Sequence, residues 1–145
     1  MKKIIFPLLL ATLFLVNCED DDKSGALIGV WIGESREVIE CTDDSKNRIF
    51  DLDCTNTSCF RLEILADGTY SYKQGTVTDF GDWSGGGTSL RLCTDEEGET
   101  LCTDYIIEEN TSVTLGISTT DEATACKTII FFQRELEEED DDGTQ

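Results

Sequence analysis

Apolar and polar residues alternate with a period of two along most of the chain after residue 26. Phe60, Leu62 and Ile64, for example, alternate with charged residues, which is the pattern of a strand with one buried face. No segment beyond residue 26 keeps a 3.6-residue apolar period for three turns, so no helix is predicted. The pattern predicts nine extended segments, at residues 26–41, 48–53, 58–66, 69–74, 77–84, 88–94, 100–108, 111–117 and 125–134.

Residues typical of tight turns separate these segments. Asp67-Gly68 is suited to a type I′ hairpin turn, in which both central residues need positive φ. Tyr70 and Tyr72 then share one face of the strand that follows. Three consecutive glycines at residues 85–87 predict a second turn. The expected arrangement is an antiparallel meander of short strands.

The hairpin at residues 89–107 predicts a disulfide. If Glu97-Gly98 forms a two-residue turn, residues whose numbers sum to 195 lie opposite each other, and Cys93 faces Cys102. Counted from the turn, this is a non-hydrogen-bonded pair, with α-carbons about 4.5 Å apart. That separation lies within the range that a disulfide can span.

Two further cysteine pairs follow from the same reasoning. A turn at Asn56-Thr57 opposes Cys54 and Cys59, and elimination leaves Cys41 with Cys126. The last pair joins the first and last long strands. If those strands are antiparallel, the numbers of two residues that lie opposite each other sum to about 167. The first and last strands then lie side by side, and the meander closes on itself.

The predicted fold class is therefore all-β. A single antiparallel up-and-down meander closes into a barrel of about eight to nine strands, braced by the disulfides Cys93-Cys102, Cys54-Cys59 and Cys41-Cys126. Closure also removes the exposed edges that a flat sheet would present to other chains.

Charge limits the possible partners. Acidic residues outnumber basic ones by 31 to 11, which gives a formal net charge of −20. Without residues 1–17, which contain Lys2 and Lys3 and no acid, 9 basic and 31 acidic side chains remain, a net charge of −22. Such a field repels nucleic acid and anionic lipid surfaces. Nucleic acid is therefore not an expected partner.

The N-terminal residues have the pattern of an export signal. Lys2 and Lys3 precede an apolar run at residues 4–16, which is too short for a membrane-spanning helix but fits a signal-peptide core. Residues 15–18 (LVNC) resemble the lipobox of bacterial lipoproteins. The resemblance implies that residues 1–17 are removed and that Cys18 carries the lipid that anchors the protein to a membrane. The alternative is an ordinary secreted protein with a coincidental cysteine.

An exported protein meets an oxidising compartment, where six further cysteines are expected to form three disulfides. A zinc site is the competing interpretation, but the chain has no histidine. Residues 18–26 form an acidic tether, similar to the surface-export tether of Bacteroidetes-type lipoproteins. The expected location is the outer membrane, facing outward; in enterobacterial sorting an acid at this position favours retention at the inner membrane. Residues 135–145 form an acidic tail that is expected to be disordered.

The predicted barrel also resembles a known family. Residues 27–31 (LIGVW) resemble the Gly-x-Trp strand of the lipocalins, and residues 64–70, 81–84 and 89–92 resemble the lipocalin-like domain of bacterial lipoproteins. The resemblance covers residues 27–134. It implies that a late arginine, here Arg134, stacks on Trp31, and that the barrel can hold one small apolar ligand. The cysteine-bearing insert at residues 41–59 is not part of the family pattern.

No catalytic constellation is present in the sequence. The chain lacks histidine for general-base chemistry, and lipid and disulfides account for all seven cysteines. Acidic pairs such as Asp43-Asp44 lack the ligand periodicity of an EF-hand loop. A non-catalytic protein with no cofactor and no metal is expected.

Inward-facing apolar residues are the candidates for a ligand site. The predicted ligand-lining residues are Trp31, Phe60, Leu62, Tyr70, Tyr72, Trp83, Leu92 and Tyr105, and Phe80 is also expected to project inward or toward a mouth of the barrel. The same side chains could simply fill the core, because small barrels are often packed solid.

Two functions follow from these alternatives. The first is a surface-anchored protein that binds a small hydrophobic ligand in or at the mouth of the barrel; an interior cavity above about 300 Å³ would favour it. The second is an adhesin or an inhibitor of a basic protein, acting through its acidic surface. A filled core with a projecting aromatic patch would favour this second function.

Overall fold

A computed structural model describes residues 26–52, 54 and 59–136 of the chain. Within these residues it contains nine strands and one short 3-10 helix, Asp44–Lys46. The strands are β1 (Gly29–Ile39), β2 (Arg48–Asp51), β3 (Phe60–Ile64), β4 (Thr69–Gln74), β5 (Val77–Gly86), β6 (Ser89–Glu96), β7 (Glu99–Asn110), β8 (Thr114–Thr120) and β9 (Lys127–Arg134).

Eight of these strands form a closed antiparallel barrel. From β3 to β9 each strand pairs with the next, and β1 pairs with both β3 and β9. The extra strand is β2. Because β1 is long, its residues 29–32 pair with β3, and its residues 35–38 pair with β2 on the same edge. The predicted all-β barrel of eight to nine strands is confirmed.

The register that closes the barrel contains one irregularity. Trp31 pairs with Arg134, so their numbers sum to 165, whereas the pairs from Ser35 onward sum to 166. A bulge between Gly33 and Ser35 causes this shift, because a bulge places an extra residue in one strand.

The turn between β3 and β4 differs from the prediction. Ile64 pairs with Tyr70, and of the predicted turn residues only Gly68 has positive φ, at 89°. Leu65 donates its N–H to the carbonyl of Thr69, which leaves a three-residue loop. A loop of this length typically ends in one left-handed residue, and the Asp67 carboxylate caps it by accepting the backbone N–H of Thr69 at 3.0 Å. The predicted type I′ turn at Asp67-Gly68 is therefore wrong.

The hydrophobic core is concentrated at one end of the barrel, which we call the closed end. The indole of Trp31 is fully buried and donates to the carbonyl of Leu27 at 2.8 Å. Arg134 lies over the Trp31 ring, 4.2 Å from its centroid, and donates to the carbonyls of Ile28 and Ala26. These contacts hold the segment before β1 across the closed end of the barrel. The expected stack of Arg134 on Trp31 is present.

The disulfides are found toward the opposite end, the open end, where β1 ends and β9 begins. The three bonds are Cys41–Cys126, Cys54–Cys59 and Cys93–Cys102, which are the pairs that hairpin geometry and elimination predicted. On the two sides of the Glu97-Gly98 turn, the numbers of paired residues sum to 195, as predicted, and both turn residues have positive φ. Covalent bonds thus brace the end of the barrel opposite the contact of Arg134 with Trp31.

One strand edge stays free toward the open end. The β6–β7 pairing runs from Ser89/Ile106 to Glu96/Glu99, but β7 pairs with β8 only from Ile106 onward. Among the described residues, the part of β7 from Glu99 to Tyr105 therefore has a strand partner on one side only.

Candidate functional site

The eight predicted ligand-lining residues share one core cluster. Five of them are buried in it, namely Trp31, Leu62, Tyr70, Tyr72 and Leu92, while Phe60, Trp83 and Tyr105 are partly buried and pack against it. Leu115, Ile117 and Phe132 fill the space between them. The side chains therefore occupy the interior that a deep ligand would need. Their role in ligand binding stays a prediction.

Four cavities bordered by described residues lie elsewhere. Their volumes are about 310 to 540 Å³, and of the eight predicted residues they include only Tyr70. One of these four, of about 540 Å³, is a groove on the outer face of β3, β4 and β5.

Phe80 occupies this groove and is 66% exposed. The expectation that it projects inward or toward a mouth of the barrel is wrong. Phe80 pairs with Ser71, whereas the inward-facing Tyr70 and Tyr72 pair with Gly81 and Asp79. Since successive residues point to opposite faces of a strand, Phe80 must point outward.

The groove has an aromatic floor and acidic walls. Along one cross-strand row, Glu63 pairs with Ser71 and Ser71 pairs with Phe80. The small Ser71 side chain leaves the space beside the phenyl ring open. Asp82 and Asp95 line the same groove, and neither forms an ion pair within the described part of the chain. The carboxylate of Asp95 accepts the hydroxyl of Thr100 at 2.6 Å.

At the open end of the barrel, two buried polar groups lack partners. The Tyr72 ring packs against Phe60 and Phe132, with ring centroids 6.3 and 6.4 Å apart, and its hydroxyl has no hydrogen-bond partner. The buried Nε of Arg36 has none either. The Arg36 guanidinium lies 5.2 Å from the centroid of the Phe50 ring.

The alternation of apolar and polar residues does not indicate that Arg36 faces the interior. Without a bulge, the alternation from Trp31 and Gly33 would place Ser35 inward. The bulge reverses this alternation, so that Arg36 pairs with Ile130, a residue of the core. A bulge of this kind has no reliable sequence signature, which is why the pattern missed this residue.

Three tyrosine hydroxyls of the barrel interior stay protonated. Burial raises the pKa of Tyr72 far above its usual value; the proximity of Tyr105 raises this pKa further, and Arg36 lowers it. Burial also raises the pKa of Tyr105, with smaller contributions from Tyr70 and Asp79. The same two causes, burial and then Asp79, raise the pKa of Tyr70. These hydroxyls are therefore neutral donors at physiological pH.

Among protein-family models, curated proteins and solved structures, none matches this chain. The chemistry of the described surfaces and interior therefore carries the functional inference.

The described residues contain no further candidate for a metal site or a membrane-spanning helix. They contain no cluster of three or more cysteine, aspartate or glutamate residues suited to a metal ion. No helix among them is long and apolar enough to cross a membrane. The predicted signal peptide at residues 1–17, the lipidated Cys18, most of the tether and the tail beyond residue 136 lie outside the described residues.

Proposed function

We propose that this protein is an exported, lipid-anchored interaction module that binds a basic partner protein through the acidic groove around Phe80. The observation that carries the proposal is the exposed Phe80 ring in a groove of about 540 Å³ walled by carboxylates. The filled core at the closed end supports the same conclusion, because it leaves little room for a deep ligand.

The chemistry of the groove favours a particular contact. An arginine side chain of the partner can stack on an aromatic face and donate hydrogen bonds to nearby carboxylates at the same time. Glu63 is already paired with Arg61 at 3.2 Å, so Asp82 and Asp95 are the acids available to the partner. The net charge of −20 adds a long-range attraction that speeds encounter with a basic protein.

Binding can be tested with a short peptide rich in arginine and its glutamate counterpart, using fluorescence anisotropy. The full-length chain should bind the arginine peptide, more weakly as salt is raised, and should not bind the glutamate peptide. Phe80→Ser should weaken binding by about fivefold or more, because loss of the aromatic face removes about 1 kcal/mol or more of contact energy.

The matched control is Ile106→Ser, which removes another apolar residue of the outer face, 58% exposed, away from the groove. It should leave peptide affinity unchanged. Equal losses in the two variants, or none in Phe80→Ser, would contradict the assignment of the groove.

The anchor is a separate part of the proposal and rests on residues 15–18 and the leader before them. Replacing Cys18 by Ser removes the lipid attachment atom, so the variant should leave the membrane fraction for the soluble fraction. Two or three acyl chains hold a protein firmly, and the shift should be nearly complete. Retention of Cys18→Ser in the membrane fraction of a cell that exports the chain would place the anchor elsewhere.

The resemblance to lipocalin-like domains is part of the same proposal. The closed eight-stranded meander and the contact of Arg134 with Trp31 are consistent with it. In this proposal the barrel serves as a rigid scaffold, and its outer face carries the binding site.

A further inference from the structure

We infer that the free edge of β7, residues 99–105, is a docking site for an extended segment of the partner protein, which adds to the barrel as a further strand. The segment carries a basic residue and an apolar residue two positions apart. This inference deepens the proposed function and rests on it for the basic character of the partner, but it concerns a different surface from the groove around Phe80.

The backbone of this edge has hydrogen-bonding groups without a strand partner. Glu96 and Glu99 flank a two-residue turn and form a hydrogen-bonded pair, so the odd-numbered residues direct their N–H and C=O groups toward β6. Thr100, Cys102 and Asp104 direct theirs away from β6. On that side, neither the β7–β8 pairing nor the other backbone hydrogen bonds of the described residues include them. Such a row of unpaired groups can pair with another strand.

The edge is open to solvent along most of its length. Every residue from Glu99 to Asp104 is exposed, and Tyr105 is partly buried. The neighbouring strand β8 pairs with β7 only from Ile106 onward. A segment that pairs with residues 99–105 therefore takes the place that a longer β8 would occupy. In this mode of recognition the main-chain hydrogen bonds supply affinity, and alternate side chains supply specificity.

The hairpin that carries this edge projects beyond its neighbours. β5 pairs with β6 only as far as Cys93, and β7 pairs with β8 only from Ile106. An isolated two-stranded hairpin is only marginally stable in water. Here the Cys93–Cys102 disulfide joins the two strands at the point where the hairpin leaves the barrel. The edge is thus held extended before a partner arrives, which lowers the entropic cost of binding.

The side chains beside the edge indicate the chemistry of the occupant. Glu99 and Leu101 lie on one face of β7 because they are two residues apart, and Leu101 is 50% exposed. Together with Glu96 and Glu97 they border a cavity of about 310 Å³. None of these glutamates forms an ion pair within the part of the chain that the structure describes. The end of the edge near the turn is therefore acidic and partly apolar.

An added strand matches this pattern when its own side chains alternate in the same way. A lysine or arginine opposite Glu99 forms a favourable pair of opposite charges, and an aliphatic residue opposite Leu101 covers it. These two positions of the added strand share a face and are two residues apart. On the other face, Asp104 is already paired with Arg91, so Glu99 is the residue that selects a basic segment.

The test uses the peptide Thr-Lys-Thr-Val-Thr-Lys-Thr, with blocked ends, and its counterpart with glutamate in place of lysine. Each is titrated into the full-length chain carrying Cys18→Ser, and amide hydrogen exchange is followed by NMR. The lysine peptide should bind and slow exchange of the Thr100, Cys102 and Asp104 amides by about tenfold or more, because these amides become hydrogen-bonded. The glutamate peptide should not bind, because like charges opposite each other are unfavourable.

Thr100→Pro blocks the edge, and Thr100→Ala is its matched control. Both variants lose the hydroxyl that donates to Asp95, but only proline removes the backbone N–H. That N–H points away from β6, so the hairpin keeps its own hydrogen bonds, and proline is tolerated at such positions of edge strands. Thr100→Pro should weaken binding of the lysine peptide by about tenfold or more, whereas Thr100→Ala should leave its affinity unchanged.

The outcomes separate the edge from other sites. No binding of the lysine peptide, binding without protection of these amides, or equal affinity of the two Thr100 variants would overturn the edge site. Protection that appears without peptide and grows with protein concentration would assign the edge to a second copy of the chain, and would also overturn it.

Phe80→Ser distinguishes this inference from the proposed groove. Because Phe80 lies on β5, away from the free edge, the variant should show the same amide protection as the parent chain. Loss of protection in Phe80→Ser would place the peptide in the groove and overturn the edge site. Unchanged protection supports the edge even if the groove fails its own test with the arginine peptide.

Discussion

Replacing Cys41 and Cys126 together by Ser is expected to lower the free energy of unfolding by about 4 to 5 kcal/mol. The bond joins residues 85 apart in the sequence, and a cross-link restricts the unfolded chain more strongly when it closes a longer loop. It also joins the two strands whose pairing closes the barrel, β1 and β9. Denaturant unfolding of the variant and the parent chain measures the difference.

The double replacement of Cys93 and Cys102 is the control. This bond joins residues 9 apart, which should be worth about 2.5 to 3 kcal/mol on the same chain-entropy model. Equal losses in the free energy of unfolding, or a larger loss in the Cys93/Cys102 variant, would contradict this prediction. Loop length would then not determine how much each disulfide stabilises the fold.

Trp31→Ala should cost about 3 to 5 kcal/mol, the usual range for removing a large buried aromatic side chain. Trp31 is fully buried, and its loss also removes the ring beneath Arg134 and the donor to the Leu27 carbonyl. The closed end would then lose both its packing and the contact that fastens the segment before β1. Thermal and denaturant unfolding would report the loss.

The chain offers a close control in Trp83→Ala. Both indoles donate to a backbone carbonyl at 2.8 Å, Trp31 to Leu27 and Trp83 to Leu65. They differ in burial, because Trp83 is only partly buried. Trp83→Ala should therefore cost clearly less, and equal costs would mean that the core at the closed end does not dominate stability.

The strands and their register could be predicted because each depends on a local rule. Alternation of period two marks a half-buried strand, and the Glu97-Gly98 turn fixes which residues of its hairpin face each other. The pairing of Cys93 with Cys102 followed directly from that turn, and the structure has it. Elimination then identified Cys41 and Cys126, which placed the first and last strands side by side.

The errors occurred where one residue changes the alternation. The loop before β4 has three residues in place of two, and this keeps Ile64 and Tyr70 opposite each other. Phe80 was expected to project inward or toward a mouth of the barrel, but its position in β5 places it on the outer face. The bulge in β1 turned Arg36 inward. Hydrophobicity alone could not reveal the groove or the unpaired donors, since both depend on how neighbouring strands align.

The free edge of β7 has a consequence for association between copies of the chain. Strand edges with unpaired backbone groups can join to the edges of other molecules and begin aggregates. Glu99 lies along this edge, and Glu96 and Glu97 stand at the tip of the same hairpin. Two copies that met edge to edge would bring these carboxylates together, and like charges placed opposite each other in a sheet are unfavourable. The acidic residues of this hairpin thus oppose aggregation, because they disfavour pairing of the free β7 edge with the same edge of a second copy.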